Sequence, residues 1–216
     1  MLSSLSVQRR GLVFVLLGTL CFSAKAVLVK LAYQYPIDAV TLLTLRMGLS
    51  LPFYLVIGFF VFRSDRPVSM PMADHMRVIG YGFAGYYLAS LFDLMGLQYI
   101  SAGLERLILY LYPTIVLLLS VVFFKRRIGS QEWLALLIGY AGILIVYVKD
   151  ATVLGDSALL GMFLIFLCAI TFAIYIVGSG QMIPRLGAMR FTVYAMTIEC
   201  LAIIVHFLLI SPVKLL

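Results

Sequence analysis

Residues 80–100 read GYGFAGYYLASLFDLMGLQYI, and residues 101–124 continue as SAGLERLILYLYPTIVLLLSVVFF. Both runs are apolar, and each has the roughly 20 residues that a helix needs to cross a bilayer. A short turn at 98–103 joins them, so the sequence predicts a helical hairpin. Asp93, Glu105 and Arg106 lie inside these runs, where a charge costs roughly 2.5–3.5 kcal/mol. Each of these charges therefore needs a partner or a function.

The chain has 216 residues, and five more apolar runs occupy nearly all of the rest of it. The chain is 64% apolar and only 12% charged, whereas globular proteins are about 25% charged. The sequence therefore predicts an all-α membrane protein, a polytopic bundle of seven transmembrane helices without a soluble domain. The predicted spans are Gly11–Leu31, Ala39–Phe62, Val78–Leu97, Ala102–Phe124, Glu132–Val148, Ala158–Gly178 and Met189–Ile210.

Positive charge is distributed unevenly over the connections between spans. Ten of the sixteen Lys and Arg residues precede span one or adjoin the connections after spans two, four and six, and only Lys149 and Lys214 lie on the other side. This asymmetry predicts a cytoplasmic N-terminus in the inner (plasma) membrane. It also explains the net charge of +7 without a nucleic-acid partner. The ten residues are Arg9, Arg10, Arg63, Arg66, Arg77, Lys125, Arg126, Arg127, Arg185 and Arg190.

The first span resembles a secretory signal, since Arg9-Arg10, an apolar run and Ala24-Lys25-Ala26 follow one another. Because the apolar run continues through Val29 and six more spans follow, we expect an uncleaved helix. Lys25 within this helix either snorkels to the surface or faces a polar interior. Arg46 in span two either forms a packing ion pair or lines a cavity.

Helical spacing places Tyr86, Ser90 and Asp93 on one face of span three, at i, i+4 and i+7. This face is polar within an apolar helix and should point into the bundle. In span four, Glu105, Arg106 and Tyr110 follow the turn. Pro113 cannot donate a hydrogen bond to the carbonyl near residue 109, so we expect a kink there.

Span six carries no charge but contributes Tyr175, and span seven carries Glu199 near its middle. Glu199 is either a neutral buried acid or a protonatable group that couples transport to protons, and it is our coupling-proton candidate. The predicted substrate-binding residues are Lys25, Arg46, Tyr86, Ser90, Asp93, Glu105, Arg106, Tyr110 and Tyr175.

By the predicted topology, six ionisable residues fall in the outer halves of their helices with a local charge of +2. This cluster indicates either an outward-facing vestibule for anionic or zwitterionic molecules or an ion-pair network that closes an outer gate. The six are Lys25, Lys30, Arg46, Asp93, Glu105 and Arg106.

Enzymatic chemistry has little support in the sequence. Cys21, Cys168 and Cys200 have no metal-ligand spacing, and His75 and His206 are predicted on opposite sides of the membrane. No Ser/His/Asp set or Gly-rich phosphate loop is present. We therefore expect no catalytic residues, no metal and no cofactor.

An offset of 150 residues pairs Gly11 with Gly161 and Phe22 with Phe172. Spans one and six begin on opposite sides, so a five-helix repeat would be inverted, as in many transporters. The predicted units are a first five-helix repeat at 1–150 and two helices of a second repeat at 151–216.

Three segments resemble the EamA-like permeases of the drug/metabolite transporter superfamily. They are KAVLVKLA (25–32), LTLRM (43–47) and the block LYPTIVLLLSVVFFKRRIGSQEWLALLIGYAGILIVYV (111–148). The resemblance implies ten helices in two inverted repeats, a central cavity open to alternating sides, and export of metabolites, amino acids or drugs. The turn at 125–128 departs from the family, because it lacks the acid often found there.

We therefore expect a transporter of small polar or zwitterionic molecules that exports them by alternating access. The partners would be the lipid bilayer and a small-molecule substrate. Because the sequence ends after two helices of the expected second repeat, we expect a fragment, a truncated product, or a bundle that a homodimer or another chain completes. The alternative is a non-transporting membrane subunit, a regulator or an inactive remnant.

Overall fold

The computed structural model describes residues 2–64, 70–125, 129–150 and 157–210. Every regular element in these ranges is helical, which confirms the predicted all-α fold. The helices are α1 (Leu2–Ala32), α2 (Ala39–Ser64), α3 (Met72–Gly82), a π-helical segment (Phe83–Leu88), α4 (Ala89–Leu97), α5 (Ala102–Leu109), α6 (Tyr112–Phe124), α7 (Ser130–Asp150), α8 (Ala158–Leu186) and α9 (Ala188–Ile210).

Six helical stretches of the described residues are long and apolar enough to cross a membrane. They correspond to predicted spans one to four, six and seven. The fifth predicted span lies in α7, whose side chains are described only as far as Ala141, so the count of seven stays a prediction. The six stretches are Gly11–Ala32, Ala39–Arg63, Met72–Leu97, Ala102–Phe124, Ala158–Leu186 and Ala188–Ile210.

Several residues used in the sequence analysis lie outside the described residues. The predicted repeat boundary after residue 150 falls in the gap at 151–156. The acid-free turn at 125–128 is described only at Lys125. The basic residues in the gaps and beyond residue 210 are Arg66, Arg126, Arg127 and Lys214.

The third span changes its winding in the middle, which the sequence did not predict. It begins as α3, becomes π-helical over Phe83–Leu88 and continues as α4. The backbone N–H of Ala89 donates to the carbonyl of Ala84, five residues earlier. A π-helical turn changes the directions in which neighbouring side chains point. Tyr86 accordingly contacts Tyr175 on α8, whereas Tyr87 contacts His206 on α9.

The fourth span breaks at Tyr110 and Leu111, between α5 and α6. Leu111 donates its N–H to Ile108, only three residues back, at 3.0 Å. Pro113 lies at the start of α6 and has no N–H to donate to Leu109. The predicted kink is therefore confirmed.

Helix α8 is the centre of the bundle and packs against α3–α6, the π-helical segment and α9. Glycines permit its closest approaches. A Cβ on Gly96 of α4 would lie 3.0 Å from the carbonyl oxygen of Gly161, and one on Gly85 would overlap the Tyr175 side chain. Gly80 of the same span, by contrast, has nothing within 4 Å of such a Cβ.

Helices α1 and α7 lie at the edge of the bundle. Every described side chain of α1 before Lys25 is exposed, and the main packing partners of the helix are α4 and α5. The described side chains of α7, at 130–141, also include no buried residue. The links of α1 to the interior therefore come mainly from its second half, from Phe22 onward.

Candidate functional site

A cavity of about 450 Å³ opens between α1, α2, the third span, α5, α8 and α9. Its wall is mostly apolar, with two cations, two acids, a tyrosine and a serine. The lining residues are Gly18, Cys21, Phe22, Lys25, Arg46, Met47, Gly85, Tyr86, Ala89, Ser90, Asp93, Leu109, Cys168, Phe172, Met196 and Glu199.

Lys25 and Asp93 form an ion pair at one end of this cavity, in which the Lys25 ammonium donates to Asp93 Oδ2. The Asp93 side chain is 2% exposed and the Lys25 side chain 22%. The pair joins α1 to α4. Of the two interpretations of Lys25, a polar interior contact is what the structure shows.

Arg46 of α2 and Glu199 of α9 also line the cavity and form a looser ion pair. Arg46 Nη2 lies 3.9 Å from Glu199 Oε1 and 3.4 Å from Ser90 Oγ. Glu199 is 1% exposed, and neither of its oxygens accepts a hydrogen bond of good geometry within the described part of the chain. Arg46 Nε likewise has no acceptor there. These buried polar atoms are available to a ligand that carries both charges.

An aromatic cluster forms the wall next to Ser90. Tyr175 donates a hydrogen bond to the Tyr86 hydroxyl at 2.9 Å, and their ring centroids are 4.6 Å apart. Phe172 and Phe191 stack on Tyr175 at 6.0 and 5.8 Å. Tyr86 therefore presents its ring to the cavity while Tyr175 supports it from behind.

Glu105 and Arg106 lie beyond Asp93, toward the start of α5. Glu105 is fully buried beside Asp93 and lies 3.2 Å from Arg106 Nε. Arg106 donates to the Phe22 carbonyl at 2.9 Å and covers the Phe22 ring at 4.8 Å. Arg106 and Tyr110 line an adjoining groove of about 440 Å³. Phe22 lines both the cavity and this groove.

The structure brings five of the nine predicted binding residues into the cavity wall, together with Glu199. The five are Lys25, Arg46, Tyr86, Ser90 and Asp93. Glu105 and Tyr175 contact that wall from behind, and Arg106 and Tyr110 line the groove. Lys30 lies apart from the cavity and donates to the Leu97 carbonyl at 2.9 Å.

The three acids of this region each have a basic neighbour: Asp93 has Lys25, Glu105 has Arg106, and Glu199 has Arg46. This arrangement resembles the ion-pair network of the sequence analysis. The cavity nevertheless persists between the pairs, so the two interpretations are compatible. No group of three or more His, Cys, Asp or Glu side chains that could hold a metal occurs among the residues described here.

Sequence reasoning missed the apolar wall, because Phe22, Met47, Phe172 and Met196 look like ordinary core residues of apolar helices. It also missed Asp74, which is 5% exposed at the start of α3. Asp74 accepts hydrogen bonds from Arg77 at 2.9 Å and from Arg185 of α8 at 3.2 Å. In the sequence, the only indication of these ion pairs is that Asp74 lies among basic residues at the end of a predicted span.

A bundle of membrane-spanning helices that encloses a charged cavity is the architecture of a membrane transporter. The model of the EamA-like transporter family matches residues 9–148. The chain therefore belongs to the EamA-like transporter family, and the predicted membership is confirmed.

The curated relatives that the chain matches are also described as transporters. It is 29% identical over 187 residues to the uncharacterized transporter YcbK of Bacillus subtilis (strain 168). This match covers 87% of this chain and 60% of YcbK. It is 28% identical over 125 residues to the uncharacterized transporter YdfC of the same organism, covering 57% of this chain and 40% of YdfC.

An uncharacterized transporter of Archaeoglobus fulgidus is 23% identical over 125 residues, covering 58% of this chain and 44% of the relative. The matched part of the chain thus spans between 40% and 60% of the length of each of these relatives. No solved structure matches the chain.

Proposed function

We propose that the protein exports a small zwitterionic or polar metabolite, such as an amino acid or a drug, by alternating access. The observation that carries this proposal is the cavity lined by both Arg46 and Glu199, whose charged atoms are 3.9 Å apart and lack full hydrogen bonding among the described residues. A carboxylate of the substrate would bind Arg46 and an ammonium group would bind Glu199, since each then gains a charge-assisted hydrogen bond.

The remaining wall of the cavity favours a substrate with an apolar part. Met47, Phe172 and Met196 line it, and Tyr86 adds an aromatic face. A volume of about 450 Å³ lies within the range of about 300–1,000 Å³ that small-molecule sites occupy. Lys25 and Asp93 would fix the polar end of the substrate, while Glu105, Arg106, Tyr110 and Tyr175 would support the wall and the entrance.

Glu199 is also our candidate for the group that couples transport to a proton gradient. A buried carboxyl group that lines the cavity can exchange a proton for an ammonium group of the substrate. Glu199 could then bind either the proton or the substrate but not both at once, which is what an exporter driven by inward proton flow needs.

The orientation and organisation follow the sequence pattern. We propose that the protein lies in the inner membrane with its N-terminus in the cytoplasm, as the positive-inside rule predicts. Residues 1–150 would form a five-helix repeat, and residues 151–216 would begin an inverted second one. A cysteine-accessibility scan of single-cysteine variants at 34 and 75 tests the orientation, because these positions are predicted on opposite sides.

A second candidate is a subunit that acts only with another chain or a second copy of itself. The exposure of α1 before Lys25 favours it, because those side chains contact little else in the described residues. Co-purification of two differently tagged copies from the membrane would support a homodimer. A protein that is a monomer by mass in detergent and transports once it is returned to proteoliposomes would exclude the homodimer.

The decisive experiment is export from proteoliposomes loaded with a panel of radiolabelled amino acids and amphipathic drugs. We expect Arg46→Ala to abolish export while membrane insertion is retained. Arg63→Ala is the matched control, since Arg63 is on the same helix but is exposed, lies over the Phe59 ring and does not line the cavity. Full export by the Arg46 variant would refute the proposed site.

A further inference from the structure

We propose that Asp93 and Glu105 together bind one proton, held by Glu105 and donated in a hydrogen bond to Asp93. This site is distinct from Glu199. The two acids come from α4 and α5, on either side of the turn in the predicted hairpin, and their carboxyl groups adjoin each other. Asp93 is 1% exposed and Glu105 is 0% exposed, so both carboxyl groups are shielded from bulk water.

The available hydrogen-bond donors are too few for two carboxylates. Lys25 donates to Asp93 Oδ2, but Asp93 Oδ1 and both oxygens of Glu105 have no donor among the described residues. Arg106 Nε lies 3.2 Å from Glu105 Oε2 without making a hydrogen bond to it, while Arg106 Nη2 donates to the Phe22 carbonyl instead.

A buried ionised carboxylate without hydrogen bonds is costly, and two adjoining ones also repel each other. One proton on Glu105 removes both problems, because its O–H can donate to Asp93. Without this proton, carboxylate oxygens of Asp93 and Glu105 would face each other as two acceptors with no hydrogen atom between them. The Lys25 ion pair keeps the negative charge on Asp93.

Other charged and titratable groups surround the pair on several helices. Lys25 faces it from α1, Tyr33 from the turn after α1, Arg46 from α2, Arg106 from α5 and Cys168 from α8. With the proton bound, Lys25, Arg106, Asp93 and Glu105 carry a formal net charge of +1, and without it they carry zero. Because Lys25 and Asp93 line the cavity, the proton changes the charge that a substrate meets.

The role of this proton in transport rests on the proposed function, whereas its presence does not. Infrared difference spectroscopy of the full chain in lipid vesicles tests its presence, because a protonated carboxyl group has a carbonyl band that a carboxylate lacks. We expect Glu105→Gln to remove one protonated-carboxyl band at neutral pH. Asp74→Asn is the control and should remove none, since two arginines hold Asp74. An unchanged band in the Glu105 variant would overturn the proposal.

Thermal unfolding gives a second test that does not depend on the spectrum. Glutamine at 105 is neutral and can still donate to Asp93, so Glu105→Gln should unfold within a few degrees of the wild type. If Glu105 were an ionised partner of Arg106, the same variant would leave that arginine uncompensated and would unfold markedly earlier. The second result would overturn the proposal.

The role in coupling is tested in the proteoliposome export assay at varied external pH. In Glu105→Gln the side chain at position 105 stays uncharged at every pH, so export should lose most of its pH dependence. Glu199→Gln should instead weaken substrate binding. Unchanged pH dependence in an active Glu105→Gln variant would overturn the coupling role. Absence of export by the wild type would instead refute the proposed function and leave the infrared result decisive for the proton.

Discussion

Lys25 on α1 and Asp93 on α4 form an ion pair that joins a sparsely packed helix to one of the most buried positions of the bundle. The two residues are 68 positions apart in the sequence. Because α1 has few other interior contacts, this pair contributes to its position as well as to the charge of the cavity.

We expect Lys25→Met to destabilise the protein more than the double variant Lys25→Met/Asp93→Asn. The single change leaves a buried carboxylate without its cation, which costs roughly 3–5 kcal/mol, whereas the double change removes both charges. Thermal unfolding in detergent measures the difference. Equal unfolding temperatures for the single and double variants would show that the pair contributes no coupling energy.

Gly85 in the π-helical segment should not tolerate a side chain. A Cβ there would overlap the Tyr175 side chain, so Gly85→Ala must displace α8 or unwind the segment, at a cost of about 1–3 kcal/mol or more. Gly80→Ala is the matched control on the same span, because nothing lies within 4 Å of its added Cβ. A lower unfolding temperature for the Gly80 variant than for the Gly85 variant would contradict the packing described here.

Phe22 separates the cavity from the groove and should influence substrate affinity. The Arg106 guanidinium lies 4.8 Å from its ring centroid and the Lys25 ammonium 5.4 Å, which fixes the ring between the two spaces. Phe22→Ala should connect them and raise KM for export several-fold. Phe14→Ala serves as the control, since Phe14 on the same helix is 73% exposed. An equal KM for both variants would show that Phe22 does not bound the site.

The sequence predicted the spans well, because apolar length is a local property of each helix. Span four was predicted with the same bounds, Ala102–Phe124, that its helical stretch has. The kink before Pro113 was also predictable, since it follows from one missing N–H. The common face of Tyr86, Ser90 and Asp93 follows from helical periodicity, and all three line the cavity.

Contacts between distant helices could not be predicted in the same way. Arg46 and Glu199 are 153 residues apart, and their proximity depends on how α2 and α9 are rotated against each other. The π-helical segment includes Gly85, where the chain packs closely against Tyr175 of α8, and such a contact between helices is not visible in the six residues of the segment. Asp74 was likewise not singled out, because its partner Arg185 lies 111 residues later.

The N-terminal end of α2 should respond to acid through Asp38, which precedes the helix outside the membrane-spanning segment. Asp38 accepts hydrogen bonds from the backbone N–H groups of Val40 and Thr41 at 3.1 Å and from the Thr41 hydroxyl at 2.6 Å. Burial alone would raise the pKa of Asp38, but these hydrogen bonds outweigh it and lower the pKa below its usual value.

Because the pKa of Asp38 is lower in the folded protein than in the unfolded one, the ionised cap stabilises the fold above the unfolded pKa of about 3.9. That contribution is lost as the pH falls through the lower, folded pKa. Asp38→Ala should therefore cost about 1 kcal/mol at pH 7 and less at strongly acidic pH. Asp38→Asn, which keeps a capping oxygen but cannot ionise, should lose less stability at pH 7. Thermal unfolding of the three proteins across this pH range measures both effects, and an Ala variant as stable as the wild type at pH 7 would contradict the cap.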